Sequence, residues 1–450
     1  MTNFDLSAEK ILGRTESVCP FCLKKIPAQR LQRGADIYLQ KECPVHGEFT
    51  TIIWRGKPDF LSWYKIRSAQ PPQNPLTETK KGCPYDCGPC PEHRQQTCCV
   101  LIEVTERCNL RCPVCFADAG KPTEDPTVTE IKEQLEVLKE TAGLCNIQFS
   151  GGEPTVRDDL PAIIRTARSL EFTFIQLNTN GLRLAQDKDY VRALKEAGLS
   201  TVFLQFDGTR DEIYRKLRGA DLLALKKKAI ENCIRFKLGV VLVPTLVPGI
   251  NTDNIGSIIS FALEGLPGIR GVHFQPVSYF GRYPAPPKDE DRITLPEVLT
   301  AIETQTQGKM RIENFSPVGC EHTLCSFHGD FIFEEDNNLT PLTRKETCCT
   351  PRIEDAALKK QSFVRQRWAV PEKTGSCCDK SNLVLTDLDL MIHRLQNQRL
   401  SISGMAFQDV ANLDLERLKD CCLNVLKEGR RIPFCAFNLS SWQGHSLYRK

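Results

Sequence analysis

Three closely spaced cysteines, Cys108, Cys112 and Cys115, have the residue type and spacing that most clearly point to chemistry. They follow a C-x₃-C-x₂-C pattern, and no fourth cysteine lies in the run. Three thiolates can hold three irons of a [4Fe–4S] cube, which leaves the fourth iron without a protein ligand. Such an open iron can coordinate a small molecule and pass an electron to it. Structural zinc normally takes four protein ligands, so the pattern favours a reactive site over a structural one.

A second group lies near the N-terminus. Cys19 and Cys22 form one pair, and Cys43 and His46 form another, within a segment of short expected strands at 18–54. Paired ligands of this kind are typical of zinc ribbons and rubredoxin-like folds. The group predicts a mononuclear site for zinc or iron, with His46 as the fourth ligand.

A third group repeats the spacing of the first. Cys83, Cys87 and Cys90 again follow C-x₃-C-x₂-C, and either Cys98 or Cys99 offers a fourth ligand, of which we take Cys98. Four ligands predict a closed auxiliary [4Fe–4S] cluster. This run competes with the first group for the reactive role. The nearby fourth cysteine here, and the strand directly before the first group, favour the first group.

The C-terminal part carries a fourth group, which predicts a second auxiliary cluster at Cys320, Cys325, Cys422 and Cys435. A helix over 415–426 would turn Cys422 toward its apolar face and Cys421 aside, so Cys422 is preferred. Two further pairs could form another site or pack as ordinary buried thiols, namely Cys348 with Cys349 and Cys377 with Cys378.

Strands and helices alternate over 100–280. Apolar runs predict six strands, at 100–104, 145–149, 172–177, 201–206, 238–243 and 271–275. The helical spacing of 128–139 places Ile131, Leu135 and Leu138 on one face. Six βα units imply a parallel sheet with right-handed crossovers, and function collects at the carboxyl ends of such strands.

The run Gly151-Gly-Glu-Pro154 follows the first cysteine group at a distance of about one βα unit. Together the two motifs resemble the radical S-adenosylmethionine (SAM) superfamily. The resemblance implies that the open iron chelates the amino and carboxylate groups of SAM. Reductive cleavage would then yield a 5′-deoxyadenosyl radical that abstracts a substrate hydrogen.

The resemblance also implies cofactor-binding residues at the strand ends. Gly151 and Gly152 would let the backbone approach a ligand, while Glu153 and Pro154 would fix the edge that receives the amino group of SAM. The alternative is an ordinary Gly-Gly turn. No acid–base residue is required, because the cofactor performs the difficult step and the protein binds and orients.

Polar residues at the next strand ends complete the expected site. Asn178 and Asn180 are candidates for the ribose or the methionyl carboxylate, with an Asn-Gly turn as the alternative. The segment 243–249 would form a wall beneath the adenine. Three further residues would line the barrel mouth, unless they only satisfy strand ends: Gln205, Asp207 and Gln275.

Several motifs together narrow the resemblance to the tetraether lipid synthase branch, which also contains methyltransferases of the methanopterin precursor. These motifs are CPxC…CPxHG, GCPxDCGxCxxH, TxxCNLxCPVCFA and IPFCAxN. The branch implies SAM, one SAM-binding and one or two auxiliary [4Fe–4S] clusters, and one mononuclear iron or zinc.

The main expectation for function is carbon–carbon bond formation between lipid chains, and the alternative is methylation of a pterin-type precursor. A lipid predicts an apolar tunnel, whereas a pterin predicts a polar pocket. An alternative of another class is an iron–sulfur electron-transfer protein without SAM chemistry.

The expected fold is α/β, a partial (β/α)₆ TIM-like radical SAM barrel with a metal-binding knuckle before it and a Cys-rich domain after it. The expected domains are a zinc-ribbon or rubredoxin-like knuckle at 1–70, an auxiliary-cluster segment at 71–99, the barrel at 100–285 and the Cys-rich domain at 286–450.

Composition limits the partners and the compartment. The net charge is +3, from 59 basic and 56 acidic residues, which gives no electrostatic reason to expect nucleic acid binding. Twenty-two cysteines without a visible export signal predict a reducing, cytoplasmic location. The expected partners are a small-molecule or lipid substrate and a reductase or ferredoxin as electron donor. Any membrane contact is expected to be peripheral.

Overall fold

The structure is a computed structural model that describes residues 9–65, 71–72, 76–334, 337–342, 356–369 and 387–449. The two cysteine pairs for which a further metal site was left open fall outside these ranges: Cys348 with Cys349 and Cys377 with Cys378.

The N-terminal segment is a four-stranded antiparallel sheet in sequential order. Buried residues alternate with less buried ones along β2 and β3, as expected for a sheet with one covered face. The β1–β2 and β3–β4 turns lie at the same end of the sheet, so both predicted ligand pairs meet there. The strands are β1 Lys10–Val18, β2 Lys25–Arg33, β3 Asp36–Cys43 and β4 Gly47–Trp54.

A larger sheet contains eight parallel strands in the order β14-β11-β9-β8-β7-β6-β5-β15. The six strands from β5 to β9 and β11 are the six predicted ones, which confirms the partial barrel. Antiparallel strands extend both ends, with β12 and β13 beyond β14 and with β16 beyond β15. The strands are β5 Cys99–Thr105, β6 Asn146–Gly151, β7 Ile175–Thr179, β8 Thr201–Gln205, β9 Gly239–Val243, β10 Thr245–Leu246, β11 Ile269–Pro276, β12 Ser326–Phe333, β13 Leu339–Pro341, β14 Arg399–Met405, β15 Leu423–Lys427 and β16 Arg430–Pro433.

Helices follow the parallel strands and cover the outer face of the sheet. The predicted stripe of α2 is confirmed, since Ile131, Leu135 and Leu138 are its buried residues, and Thr127 and Glu130 form a capping box at its start. The helices are α1 Phe60–Trp63, α2 Val128–Ala142, α3 Leu160–Ser169, α4 Leu182–Gln186, α5 Lys188–Glu196, α6 Asp211–Arg218, α7 Leu223–Arg235, α8 Ile255–Glu264, α9 Leu295–Gln305, α10 Ala356–Trp368, α11 Asp387–Asn397, α12 Leu415–Lys419 and α13 Phe434–Asn438.

The two faces of the parallel sheet differ in polarity. Successive side chains of a strand point to opposite faces, so alternate positions belong to the interior and to the helix layer. On β6, Ile147 and Phe149 join the main apolar core, whereas Gln148 lines the central cavity. On β7, Leu177 joins the core and Gln176 lines the cavity. The barrel therefore has an apolar outer layer and a partly polar interior.

Two expected elements differ in their bounds. The strand expected at 172–177 begins only at Ile175, because the N–H of Phe172 bonds to the Ala167 carbonyl and closes α3. The helix expected over 415–426 is wrong beyond Lys419. The chain turns there and forms β15, which pairs with the edge of the barrel.

The chain after residue 286 is continuous with the barrel, since β14 extends the parallel sheet at one end and β15 at the other. Within the described ranges, no helix combines the length and the apolar character needed to span a bilayer.

Candidate active site and metal centres

The loop that carries Cys108, Cys112 and Cys115 begins where β5 ends. Gly151 and Gly152, at the end of β6, pack directly against this loop, and the Gly152 N–H donates to the Thr105 carbonyl at 2.8 Å. A Cβ on Gly151 would collide with the Thr105 carbonyl oxygen, and one on Gly152 with that of Arg107. The φ of Gly151 is +136°, which also favours glycine. The two glycines thus position the cysteine loop, besides lining the cavity as expected.

Glu153 joins two strand ends from a fully buried position. One carboxylate oxygen accepts from the Thr179 hydroxyl at 2.7 Å and from the Thr155 hydroxyl at 2.6 Å, and the other accepts from the Asn180 N–H at 2.6 Å. Pro154 is buried at the start of the next turn. These contacts fix the Glu153-Pro154 segment beside the cysteine loop, where the Glu153 N–H donates to the Arg107 carbonyl at 2.9 Å.

Asn180 connects the end of β7 to the cysteine loop. Its Nδ2 donates to Asn109 Oδ1 at 2.7 Å, and its backbone carbonyl accepts from Lys226 Nζ. Burial lowers the pKa of Lys226 to about 8. Asn178 lies two residues before Asn180, within β7. Its side chain donates to Ser150 Oγ at 3.2 Å and also lines the cavity.

Arg218 occupies the position at the mouth that was expected for Asp207. Asp207 is fully buried, and its two oxygens accept from Arg218 Nε and Nη2, each at 2.7 Å. Arg218 and Gln205 line the cavity, whereas Asp207 does not. The prediction for Asp207 is therefore corrected, because its charge is used to hold an arginine. Burial opposes the charged guanidinium, but the Asp207 carboxylate raises the pKa of Arg218 overall, and the Cys112 sulfur lies within hydrogen-bond reach.

The three loop cysteines line one end of a large cavity inside the barrel. The cavity extends from the carboxyl ends of the strands to α10, which contributes Val364 and Trp368 at the opposite end. Val243, Thr245 and Val247 of the segment 243–249 line the cavity, as does Gln275. That this segment lies beneath the adenine stays a prediction. The loop thus faces an internal chamber.

The donor chemistry of the loop fits a cluster with one open iron. The three sulfurs do not all lie within 4.8 Å of one another. They are therefore spread more widely than the ligands of a single ion. Burial raises the pKa of the Cys108 thiol to about 11, so metal binding there must displace a proton.

The N-terminal ligand set converges on one point. The ligand atoms of Cys19, Cys22, Cys43 and His46 all lie within 4.8 Å of one another, and His46 Nδ1 is 3.4 Å from Cys19 Sγ and 3.5 Å from Cys43 Sγ. Tetrahedral sulfur ligands about 2.3 Å from one ion have spacings of this order. Phe21 stacks on the His46 ring with centroids 5.2 Å apart, which holds the ring in place. The geometry fits one zinc or iron ion.

Cys83, Cys87 and Cys90 are buried and line a small cavity together. Cys98, expected as their fourth ligand, lies elsewhere, with its sulfur 2.9 Å from that of Cys422. The physical reason is the register between strands. Leu423 of β15 pairs with Cys99 of β5, so the residues just before them become neighbours.

The predicted C-terminal ligand set divides into two. Cys320 and Cys422 lie 3.2 Å apart and form a buried group with Cys98. Cys325 and Cys435 lie instead beside Arg417, whose Nη2 donates to the Cys325 sulfur at 3.5 Å. Cys422 therefore lies in a ligand-like group with Cys320, as expected, but Cys98 takes the place of Cys325 and Cys435.

Several cavity residues carried no sequence signal of their own. Gln148, Gln176, His273 and Ser403 occupy interior positions of four strands. A polar residue at alternate positions of an apolar strand is the pattern that could have identified them. Arg218, at the end of α6, could not have been found in this way.

Two segments of this chain match known protein families, and one known protein is similar over nearly the whole chain. Residues 102–262 match the radical SAM superfamily, and residues 11–55 match the HMPTM N-terminal zinc ribbon domain. The 7,8-dihydro-6-hydroxymethylpterin dimethyltransferase of Methanocaldococcus jannaschii is 38% identical, over 94% of this chain and 93% of that protein.

Other similarities cover the barrel region. A probable GTP 3′,8-cyclase of Methanothermobacter marburgensis is 31% identical over 38% of this chain and 56% of that one. The crystal structure of Streptococcus suis SuiB bound to S-adenosylmethionine is 17% identical with a TM-score of 0.37, and the match covers 47% of this chain and 48% of SuiB. On its motifs, its fold and its similarity to the M. jannaschii protein over nearly the whole length, this chain belongs to the radical SAM superfamily and to the family of that protein.

Proposed function

We propose that this chain is a radical SAM methyltransferase that acts on a pterin-type precursor. The observation that carries the proposal is the similarity, over nearly the whole chain, to a protein named as a dimethyltransferase of 7,8-dihydro-6-hydroxymethylpterin. The main expectation from the sequence, coupling of lipid chains, finds no support among these relatives.

The cavity lining is mostly apolar, and a small number of polar groups placed within it support the same choice. Side-chain amides from two neighbouring strands lie side by side in the cavity, since Gln148 of β6 and Gln176 of β7 are paired in register. Hydroxyl groups of Ser401 and Ser403 line it from β14. The two hydroxyls already bond to Asp330 and His273, whereas the Gln176 Nε2 has no partner among the described residues. An alkyl chain would leave this amide unsatisfied, but a nitrogen heterocycle could bond to it.

An aromatic wall in the same cavity is suited to a flat ring. Phe203 lies 4.9 Å from Trp368 and 5.5 Å from His273, measured between ring centroids. These three rings and the Gln176 amide line a single cavity. Gln176 Nε2 is buried without a hydrogen-bond partner among the described residues, and its Oε1 has only the distant Cys99 sulfur at 4.0 Å. We expect this amide to bond to the lactam edge of the substrate.

The loop cysteines and the residues around them would bind and orient the cofactors. A [4Fe–4S] cluster at Cys108, Cys112 and Cys115 would supply the electron for reductive cleavage of bound SAM. Arg218 presents a guanidinium beside Cys112, where it would bind a carboxylate such as that of the methionyl group. The enclosed chamber would keep water away from the reacting carbon.

The remaining cysteine groups would hold auxiliary metals, and an external ferredoxin or reductase would supply electrons. The closed ribbon site would bind zinc or iron. We expect the buried group around Cys87 to hold an auxiliary cluster. The sulfurs of Cys98, Cys320 and Cys422 lie within 4.8 Å of one another, so this group would hold a single metal ion unless its sulfurs spread to bind a second cluster. We expect any membrane contact to be peripheral.

The test is an anaerobic reaction of the cluster-reconstituted protein with excess SAM, dithionite and 7,8-dihydro-6-hydroxymethylpterin, followed by mass spectrometry. One SAM is the source of the radical, a second SAM is the methyl donor, and dithionite supplies the electrons. We expect 5′-deoxyadenosine together with a pterin that has gained the mass of one or two methyl groups. Lipid extracts of expressing cells serve as the comparison. Carbon–carbon coupled lipids, without a methylated pterin, would overturn the proposal in favour of lipid coupling.

A further inference from the structure

The small cavity lined by Cys83, Cys87 and Cys90 is also lined by His93. All four side chains are at most 6% exposed. Three thiolates satisfy three irons of a cube, and a closed auxiliary cluster needs one more ligand. Because Cys98 lies with Cys320 and Cys422, that ligand has to come from another residue.

One nitrogen of the His93 ring is free to act as this ligand. Within the described ranges, His93 Nε2 is a buried atom without a hydrogen-bond partner. The backbone of Cys421 lies near the ring, and because Nε2 has no partner in the described part of the chain, this contact is made by Nδ1. A metal-binding histidine commonly donates its second ring N–H to a backbone carbonyl, which leaves the lone pair of the other nitrogen for the metal.

The backbone around His93 holds the ring in place. The His93 N–H donates to the Cys90 carbonyl at 3.0 Å, and the N–H of the next residue donates to the Lys419 carbonyl at 2.8 Å. The Arg94 side chain is bound on both sides, by Glu416 at 2.7 Å and by Asp420 at 2.9 Å. Leaving a buried nitrogen unpaired in so rigid a position costs free energy, which a metal ion would recover.

Glu92 is the other residue of this cavity with a possible ligand atom. Its Oε2 lies 3.5 Å from the N–H of Cys83 and 3.9 Å from Lys419 Nζ, so it already has partners of opposite polarity. Carboxylate oxygen is also a harder donor than the nitrogen or sulfur that iron–sulfur clusters take in proteins.

We propose that His93 Nε2 is the fourth ligand of a [4Fe–4S] cluster held by Cys83, Cys87 and Cys90. A neutral imidazole in place of a thiolate makes the cluster less negative, and its reduction potential rises accordingly. This auxiliary cluster would therefore accept an electron more readily than one with four cysteines. The inference does not depend on the identity of the substrate.

The test is pulsed EPR of the dithionite-reduced, reconstituted protein, with Cys108, Cys112 and Cys115 all replaced by alanine to remove the reactive cluster. The ribbon site is loaded with zinc, which is diamagnetic, so His46 contributes no signal. In this reference protein we expect a strong ¹⁴N hyperfine coupling from a directly bound imidazole. The coupling should be lost in His93→Gln and in His93→Cys.

Iron and sulfide analysis separates ligation from folding. His93→Cys should keep the iron content of the reference, since a thiolate replaces the imidazole. If His93→Gln does not fold, the loss of the ¹⁴N coupling is measured in His93→Cys alone. His322→Gln is the matched control, because His322 is equally buried and its Nδ1 already accepts from the Leu324 N–H at 3.3 Å. That control should retain the coupling. A reference without ¹⁴N coupling, a coupling that persists in His93→Gln, or one that disappears only in His322→Gln would overturn the proposal.

Discussion

The N-terminal ribbon and the cysteine loop at the barrel mouth both present cysteine sulfurs, but in two different arrangements. In the ribbon, two turns of one small sheet bring four ligand atoms within 4.8 Å of one another, and aromatic rings cover them. In the loop, three sulfurs lie beside a chamber that reaches through the barrel. A complete ligand set saturates its metal, whereas an incomplete one beside a cavity leaves a coordination position for a small molecule.

The largest expected effect comes from removing one of the three loop cysteines, Cys108, Cys112 or Cys115. Cys115→Ala should abolish 5′-deoxyadenosine formation, because a cluster held by two thiolates neither assembles stably nor presents SAM. Product is measured by liquid chromatography after reduction in the presence of SAM. The ribbon metal should remain at full occupancy. Substantial 5′-deoxyadenosine from this variant would mean that the reactive cluster lies at another cysteine group.

Removing one ligand of the ribbon metal site should lower the stability of the fold more than the rate of SAM cleavage. Cys43→Ala removes one of four ligands, and structural zinc binding contributes several kcal/mol or more of folding free energy. We expect loss of the bound metal and a marked fall in thermal stability. Trp442, which packs edge-on against Phe21 and Phe49, should report the change by fluorescence. If SAM cleavage per intact loop cluster also fell to zero, the ribbon metal would not be purely structural.

The buried ion pair beneath the loop gives the next largest effect. Arg218→Met leaves the Asp207 carboxylate buried without its partner, which typically costs about 3–5 kcal/mol of stability. Denaturant unfolding measures this loss. The double variant Asp207→Asn with Arg218→Met should recover much of it, yet SAM affinity should stay weak because the guanidinium is still missing. Full recovery of SAM binding in the double variant would contradict the role given to Arg218.

Gln176→Met tests the substrate end of the chamber. The shape is nearly kept, but the amide that we propose bonds to the lactam edge of the pterin is lost, so we expect about tenfold weaker pterin binding. SAM cleavage without pterin should be unchanged. Gln305→Met is the control, since the Gln305 amide lies on an outer helix and bonds to Gly256 at 2.8 Å and to Thr252 at 2.7 Å. Equal pterin affinity in both variants would remove Gln176 from the binding site.

The smallest expected effect is on the pH dependence of stability. Burial lowers the pKa of Lys226 to about 8 from its ordinary 10.5. Between these values the unfolded chain holds a proton that the folded chain has released, so raising the pH favours folding. Unfolding free energies at pH about 8 and about 10 should show this rise in the wild type and a smaller one in Lys226→Met. Identical slopes would mean that Lys226 stays charged when folded.

Local patterns were enough to predict the barrel and the ribbon. The helical spacing of Ile131, Leu135 and Leu138 identified a helix and its buried face, and the ligand spacing of the ribbon identified its metal site. These features depend on residues close together in the sequence, where periodicity and turn chemistry apply directly.

Features that depend on distant pairing were missed. Cys98 meets Cys422 because β15 joins the barrel edge in one particular register, which no local pattern contains. The helix expected over 415–426 failed for the same reason, since pairing with β5 overrides the local helical spacing. Asp207 was placed in the site from its position at a strand end, but Arg218, eleven residues later at the end of α6, pairs with it; this contact is closer in sequence than the others, yet no strand periodicity predicts it.

The most direct test of pterin methylation at the Cys108, Cys112 and Cys115 site compares the wild-type protein with Cys115→Ala, in the presence of excess SAM, dithionite and 7,8-dihydro-6-hydroxymethylpterin. We expect the wild type to form 5′-deoxyadenosine and a methylated pterin, and the variant to form neither. Wild-type 5′-deoxyadenosine without any methylated pterin would contradict this expectation.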